Sequence, residues 1–357
     1  MTVPALLTVR LAIRPGRKLP AVPPEAFTWR DGERLIRFGE GLADKAVDLL
    51  DEGGFGGYVL FTTERARAQA PAVADGAADV AIVPQGRVDE ISAELLERVG
   101  ERPLVALGGG RVVDTAKAIG GARDLGVAAI PTTLSGAEMT PFHRTPLGVE
   151  GARLVRPSLV VADPDVMASQ TGPQLAASAM NALAHAMESL YTPLANPVAE
   201  MAALRSAELF EDALPRDEPP RPPLALAAVL AGYAVGAAGL AVHHAVCQTI
   251  VRVAGAPHAE TNAVMLPHFA RLMASRAPGE MGLFARALGD PAGDPDNAAG
   301  QVAKLSARCG HTRLSTLGLE RDRLPAIAEA ALAHPVVGNT PDPPDGDELL
   351  ALLEAAL

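Results

Sequence analysis

Cysteine is nearly missing from this sequence. Cys247 and Cys309 are the two in 357 residues, and neither sits in a CxxC or CxH spacing. That excludes a disulfide framework and fits a reducing cytoplasm. A run of Lys or Arg is also missing, and the formal net charge is −11. Both observations argue against nucleic acid and anionic membrane as partners. The opening stretch MTVPALLTVRLAIRPGRK has no basic region ahead of its apolar part and no clear cleavage site. It therefore does not read as a signal peptide, and the cytoplasm is the expected compartment. One segment lacks charge altogether, Leu224 to Val242, and it is long enough to cross a bilayer. It is mostly Ala and Gly and runs straight into His243 and His244, which fits a buried helix in a tightly packed helical domain better. No internal repeat is present.

What is there suggests two domains or one large one. The chain is 48% apolar and 20% charged, enough to bury a large core. The first half alternates. Short apolar runs at Tyr58–Thr63, Val80–Val83, Leu104–Leu107, Val127–Ile130 and Ser158–Ala162 are separated by helical stretches such as Arg65–Ala74 and Val88–Val99. Short apolar strands between helices indicate a parallel sheet covered on both faces. Residues 27–41 read as a hairpin closed near Asp31-Gly32, at the sheet edge. After about residue 167 the pattern is helical, with Pro173–Tyr191, Pro197–Ala213, Leu224–Val253 and Asn262–Ser275, and with Asp347 as a candidate cap of the last helix. The expectation is an α/β dinucleotide-binding domain over 1–167, Rossmann-like with a parallel sheet, and an all-α domain over 168–357. A cleft would lie between them.

Two segments suit a nucleotide. LVALGGGRVVDTAKAIG runs from strand through Gly108, Gly109 and Gly110 into helix. Glycines let a backbone approach a pyrophosphate, which free N–H groups at a helix N-terminus stabilise. The pattern is neither GxGxxG nor a Walker loop, so alone it is weak. AAIPTTLSGAEMTPF then presents Thr132, Thr133, Ser135 and Thr140 at the end of a strand, where hydroxyls face the ligand crevice of a parallel sheet.

A third constellation suggests metal chemistry. Asn181 and His185 are four apart in MNALAHAME, as are His244 and Gln248 in HHAVCQTIVRVAGAPH, and His258 follows Pro257. Residues four apart share a helix face. Three imidazoles suit Fe²⁺ or Zn²⁺, but Asn is a neutral, poor ligand. His143, His311 and His334 read as ordinary histidines, and His243 and His268 as structural ones.

In order and separation, GGGRVVDTAK, IPTTLSGAEMTP, VVADPDVM, MNALAHAMESLYTPLANP, HHAVCQTI and PHAETNAVMLPH resemble the iron-containing alcohol dehydrogenase family. Within it they are most similar to the maleylacetate reductases. The resemblance covers about residues 27–350 and implies the dehydroquinate synthase-like architecture of that family, with nicotinamide chemistry in the cleft. It implies that Gly108, Gly109, Gly110 and Asp114 hold the pyrophosphate region and that Lys117, Thr132, Thr133 and Ser135 complete the cradle. Arg111 stands where many relatives have Ser. Metal-bearing members carry Asp and three His at positions matching Asn181, His185, His244 and His258. Maleylacetate reductases commonly carry Asn at the first of these and are thought to work without metal, so the site is expected to be metal-free. Gln248 stands where relatives have a His near the nicotinamide, and Gln cannot titrate.

The implied reaction is hydride transfer from NADH or NADPH to an electron-poor enoate or carbonyl, with Asn181, His185, His244, Gln248 and His258 at the reacting centre. The end of the first nucleotide strand, Phe61-Thr62-Thr63, holds no acidic residue, while Arg65 and Arg67 follow. NADPH is therefore expected to serve at least as well as NADH. The substrate is expected to bear carboxylates, with Arg144 and Arg313 as candidate partners, and a homodimer is implied by the family. Two other readings stay open. One is a metal-dependent alcohol dehydrogenase or aldehyde reductase, against which Asn181 and Gln248 speak. The other is a repurposed member with non-redox or lost activity, motivated by Gln248, Arg111 and a short segment between Val83 and Pro103.

Overall fold

The computed structural model describes residues 26–357 apart from position 171. The opening stretch considered above as a signal lies outside the described residues. Seven strands form one sheet: β1 (Ala26–Asp31), β2 (Arg34–Gly39), β3 (Val59–Thr62), β4 (Asp79–Ile82), β5 (Leu104–Gly108), β6 (Val127–Pro131) and β7 (Leu159–Ala162). Their order is β1-β2-β7-β6-β5-β3-β4. Only the β1–β2 pair is antiparallel. It is closed at Gly32, whose φ of 59° suits glycine, and β1 forms the sheet edge as the hairpin pattern predicts.

β3, β5, β6 and β7 are buried along their whole length, because helices cover both faces of a parallel sheet. One face packs Leu60, Val105 and Ile130 against Leu50, Tyr58 and Val73. The other packs Phe61, Ala106 and Ala129 against Ile91, Val113 and Ile119. The helices that matter below are α1 (Val88–Leu95), α2 (Gly110–Arg123), α3 (Gly172–Glu188), α4 (Pro197–Ala213), α5 (Arg221–Ala238), α6 (Val242–Ala254) and α7 (His258–Arg276). The last five share a third, larger core.

Three expectations are corrected. The helix read over Arg65–Ala74 is two, Glu64–Gln69 and Pro71–Asp75. Pro71 has no N–H to continue the first and sits well at the start of the second. The helix read over Leu224–Val253 is also two, α5 and α6, parted at Gly239, whose φ of 88° and ψ of 171° no helix holds. The final helix, Gly346–Ala356, is capped by Asp345 and not Asp347: the Asp345 side chain accepts from the Glu348 amide while Glu348 returns the bond. The apolar helix α5 is long and apolar enough to cross a membrane, yet 61% of it is buried in protein. It packs between α3 and α4.

Candidate active site

The glycine loop joins β5 to α2 with no side-chain cap, so the first amides of α2 are open to a ligand. A Cβ on Gly109 would come within 2.9 Å of Thr133 Cγ2, and one on Gly110 within 3.3 Å of Ser135 Oγ. The glycines thus let this loop lie directly on the Thr132–Ser135 loop. Thr133 Oγ1 is buried there with no partner. An open helix start beside an unsatisfied hydroxyl is a cradle that fits the pyrophosphate of a dinucleotide.

The remaining cradle residues divide. Arg111 is held at the helix start by Gln85 Oε1 at 2.6 Å, its Nε is unsatisfied, and partial burial lowers its pKa. Lys117 is fully buried and donates to Asp114 Oδ1 (2.8 Å), Ala137 O (2.9 Å) and Thr140 Oγ1 (3.3 Å). An ammonium has three protons, and all three have acceptors inside the protein. Lys117 therefore props the Thr132–Thr140 loop against α2, at the base of the expected cradle.

α3 carries the second half of the site to the same loop. Ser178 Oγ accepts from the Leu134 amide at 2.9 Å, and Asn181 Nδ2 donates to Ser135 O at 3.4 Å. One turn on, His185 stacks on His244 of α6, ring centroids 4.5 Å apart at 14°. Glu188, buried next to it in the fold, accepts from His244 Nδ1 at 2.6 Å. It is further held by the amide of His244 at 3.3 Å. Three polar atoms are left buried without a partner: Asn181 Oδ1, His185 Nδ1 and His244 Nε2. Burial pushes His185 well below its ordinary value, and His244 and His258 add to the effect. Burial, and then His258, push His244 down to about 3. Crowding by protein atoms lowers His258, at the start of α7, as well, and Asp114 and Glu260 oppose the shift. Water nevertheless reaches His258, and that access makes it the histidine of the cluster best able to exchange a proton with solvent. Gln248 is half-buried one turn beyond His244.

The structure thus brings Asn181, His185, His244 and His258 together below the nucleotide loop. Sequence reasoning missed Glu188, although its place three residues after His185 is the spacing of a helical neighbour. His243 is a core residue, its ring edge-on to Phe269 and its Nε2 3.6 Å from Cys247 Sγ. Arg144 lies on an exposed loop and Arg313 on an exposed turn beside α7.

A family model for iron-containing alcohol dehydrogenases matches residues 37–170, and one for the C-terminal part of the same family matches 175–357. The chain belongs to the iron-containing alcohol dehydrogenase family. It is 33% identical to the maleylacetate reductase of Sphingobium indicum, over 90% of this chain and 95% of that one. It is 32% identical to the maleylacetate reductase of Burkholderia cepacia, over 93% and 97%. The crystal structure of maleylacetate reductase from Agrobacterium tumefaciens superposes with a TM-score of 0.79 at 29% identity, covering 94% of this chain and 99% of that one. As a member of this family, the chain is an NAD(P)H-dependent reductase.

The family name raises the question of iron. The donors suit a soft divalent ion in kind, but they are an amide and three imidazoles with no carboxylate among them. Their arrangement does not fit. A ligated ion lies about 2 Å from nitrogen in the plane of the imidazole. Two nearly parallel rings at 4.5 Å lie face to face, so one ion cannot sit in both planes. A second grouping, Glu188, His243 and His244, brings ligand atoms within 4.8 Å of one another. There the Glu188 carboxylate and His244 Nδ1 already share a short hydrogen bond, so we read it as the support that orients His244.

Proposed function

We propose that this enzyme reduces a carboxylate-bearing enoate of the maleylacetate type at the expense of NADH or NADPH, without a metal ion. One observation carries the reading: Asn181 Oδ1, His185 Nδ1 and His244 Nε2 are buried and unsatisfied side by side, at the position where the sequence resemblance calls for a metal-binding carboxylate. Buried polar groups without partners cost about 1–3 kcal/mol each, so such a cluster is expected to meet a polar ligand. The likeness to maleylacetate reductases over nearly the whole chain supports the substrate class.

The bound reduced nicotinamide supplies a hydride to the substrate carbon β to the ketone. As that bond forms, the electron pair of the double bond moves toward the ketone oxygen, which becomes an enolate. The chain's own task is to hold that oxygen. Replacing a carboxylate by the Asn181 amide exchanges a metal ligand for a group with two N–H donors, and amide oxygen and nitrogen interchange by a simple flip. The imidazole of His185, kept neutral by burial, offers one further N–H. Preorganised donors of this kind stabilise an oxyanion without reorganising. His258, in contact with water, returns the proton that regenerates the ketone. We extend the reading to both nicotinamides, because the strand end at Thr62-Thr63 lacks a carboxylate that would repel a 2′-phosphate. Arg65 there is exposed and is only loosely held, 3.3 Å from Ser169 Oγ. A homodimer in the cytoplasm is part of the same proposal.

The test is reduction of maleylacetate by protein dialysed against EDTA, followed by loss of NADH or NADPH absorbance. Full turnover after chelation is the expected result; activity that disappears and returns only with Fe²⁺ or Zn²⁺ would overturn the metal-free reading. Gln248 favours a second reading, a member whose redox activity is silenced, because it puts a non-titrating side chain beside His244. Nicotinamide turnover that is absent in the natural protein and appears in Gln248→His would establish it.

A further inference from the structure

Arg111 is a cation at the nucleotide cradle whose donors the protein leaves largely unused. It stands in the first turn of α2, directly after the glycines. Its Nη1 donates to Gln85 Oε1 at 2.6 Å, and its Nε is buried without a partner. Among the described residues it forms no ion pair. A guanidinium offers five N–H donors in a fixed fork. A half-buried one without a counter-charge is poised for an anion.

The sheet fixes where this cation lies. Thr62 of β3 is level with Leu107 of β5 on one side and with Ile82 of β4 on the other. Arg111 follows the end of β5 by three residues, and Gln85 follows the end of β4 by three. Neighbouring strands are about 4.8 Å apart, so β5 and β4 are separated by about 10 Å. The Arg111–Gln85 bond therefore bridges the strand between them, beyond the end of β3 at Thr62-Thr63.

The adenosine half of a bound dinucleotide belongs at the same place. The Thr132–Ser135 loop, after β6, meets the helices of the imidazole cluster through Ser178 and Asn181. β6 lies on one side of β5 and β3 on the other. With the pyrophosphate on the glycine loop and the nicotinamide on the β6 side, the adenosine runs the opposite way, across β3. In dinucleotide folds the ribose is read beside the glycine strand, by a carboxylate for a free 2′-hydroxyl or by an arginine for a 2′-phosphate. Here Thr62 is buried, and Thr63 Oγ1 is occupied in capping the next helix, accepting from the Ala66 amide at 3.3 Å. Glu64, in the first turn of that helix, is exposed. Its charge is screened by water and salt, whereas the half-buried guanidinium is screened much less. Arg65 reaches instead to Ser169 Oγ, in the segment after β7.

We propose that Arg111, steadied by Gln85, receives the 2′-phosphate of NADPH and gives this enzyme a preference for NADPH over NADH. The proposal rests on the reductase reading for the presence of a nicotinamide dinucleotide, but it is tested by binding and not by turnover.

NADPH and NADH differ only in the 2′-phosphate, so they are the probes. Their dissociation constants are read from nicotinamide fluorescence on the full-length, EDTA-treated protein. NADPH is expected to bind at least about tenfold more tightly, as a charge-assisted hydrogen bond implies. Arg111→Ser should bring the ratio to about one. Gln85→Glu keeps the guanidinium but gives it a counter-charge of its own, and should also lower the ratio, which a merely structural pair would not do. Arg65→Ser should leave the ratio as it is. An unchanged circular dichroism spectrum will show that the variants fold. Equal binding of the two coenzymes to the natural protein, or a ratio that survives Arg111→Ser, would overturn the assignment. So would tighter binding of NADH that reverses in Glu64→Gln, since the ribose would then belong to Glu64. Maleylacetate reduction is scored separately. NADPH-selective binding without reduction would leave Arg111 its role and remove the reductase reading; reduction with equal binding would do the reverse. Binding of neither coenzyme would remove both.

Discussion

Glu138 is the side chain whose environment is hardest to reconcile with an ionised group. It is fully buried, and neither carboxylate oxygen has a partner. Burial raises its pKa to about 7; Lys117 opposes the rise and Asp114 adds to it. Because the folded value lies above the unfolded one, its stabilising contribution is complete below about pH 4.5 and is lost as pH rises through about 7. Glu138→Gln removes this titration. The stability of the variant relative to the natural protein should therefore improve by about 3 kcal/mol between about pH 5 and about pH 8, at roughly 1.4 kcal/mol per pKa unit. The buried histidines titrate in both proteins and cancel. Urea unfolding at the two pH values measures the difference, and a pH-independent difference would mean that Glu138 is solvated or paired. Nothing in the sequence marks this residue, since its lack of partners comes from α5 closing over the loop.

At the scale of elements, the α5–α6 break decides where the side chains proposed for catalysis sit. Gly239 holds φ 88° and ψ 171°, a conformation open essentially to glycine. Without it the apolar run would continue as one helix, as its composition suggests, and His243 and His244 would be turned elsewhere. Gly239→Ala should cost about 1–3 kcal/mol of stability and lower kcat by more than it changes the nicotinamide Kd, because the strain falls on α6 and not on the glycine loop. A variant with unchanged melting temperature and kcat would show that the bend is held by packing alone. α5 itself depends on close approach: a Cβ on Gly232 would lie 2.7 Å from Gly136 O. The small-residue composition read as a buried helix thus has a specific use, letting α5 press on the loop that carries Thr133 and Ser135.

For the whole molecule, the site belongs to neither half alone. The nucleotide loop comes from the sheet, the imidazoles from α3, α6 and α7, and Asn181 joins them through Ser135. Ligand binding should therefore stabilise both halves together. NADH at a hundred times its Kd is expected to add about 2.7 kcal/mol to a single unfolding transition in EDTA-treated protein. Separate transitions, with only one shifted by NADH, would show that the two halves unfold independently and that the cofactor contacts one of them.

Much of this was legible in the residue order. The apolar runs and their spacing specified a parallel sheet, a hairpin edge and a helical second half, because periodicity and turn residues act locally. The glycine loop, the Asn181–His185 pair and the substitution of Gln248 were visible for the same reason: each is a short-range pattern. What only the tertiary structure decided are the partnerships between segments far apart in the chain. These include Lys117 turned inward to Ala137 and Thr140, Glu188 bonded across to His244, and His185 stacked too flat on His244 to share an ion. Such contacts join elements separated by tens of residues. Which atoms end up satisfied, and which are left waiting for a ligand, is settled by how those elements pack.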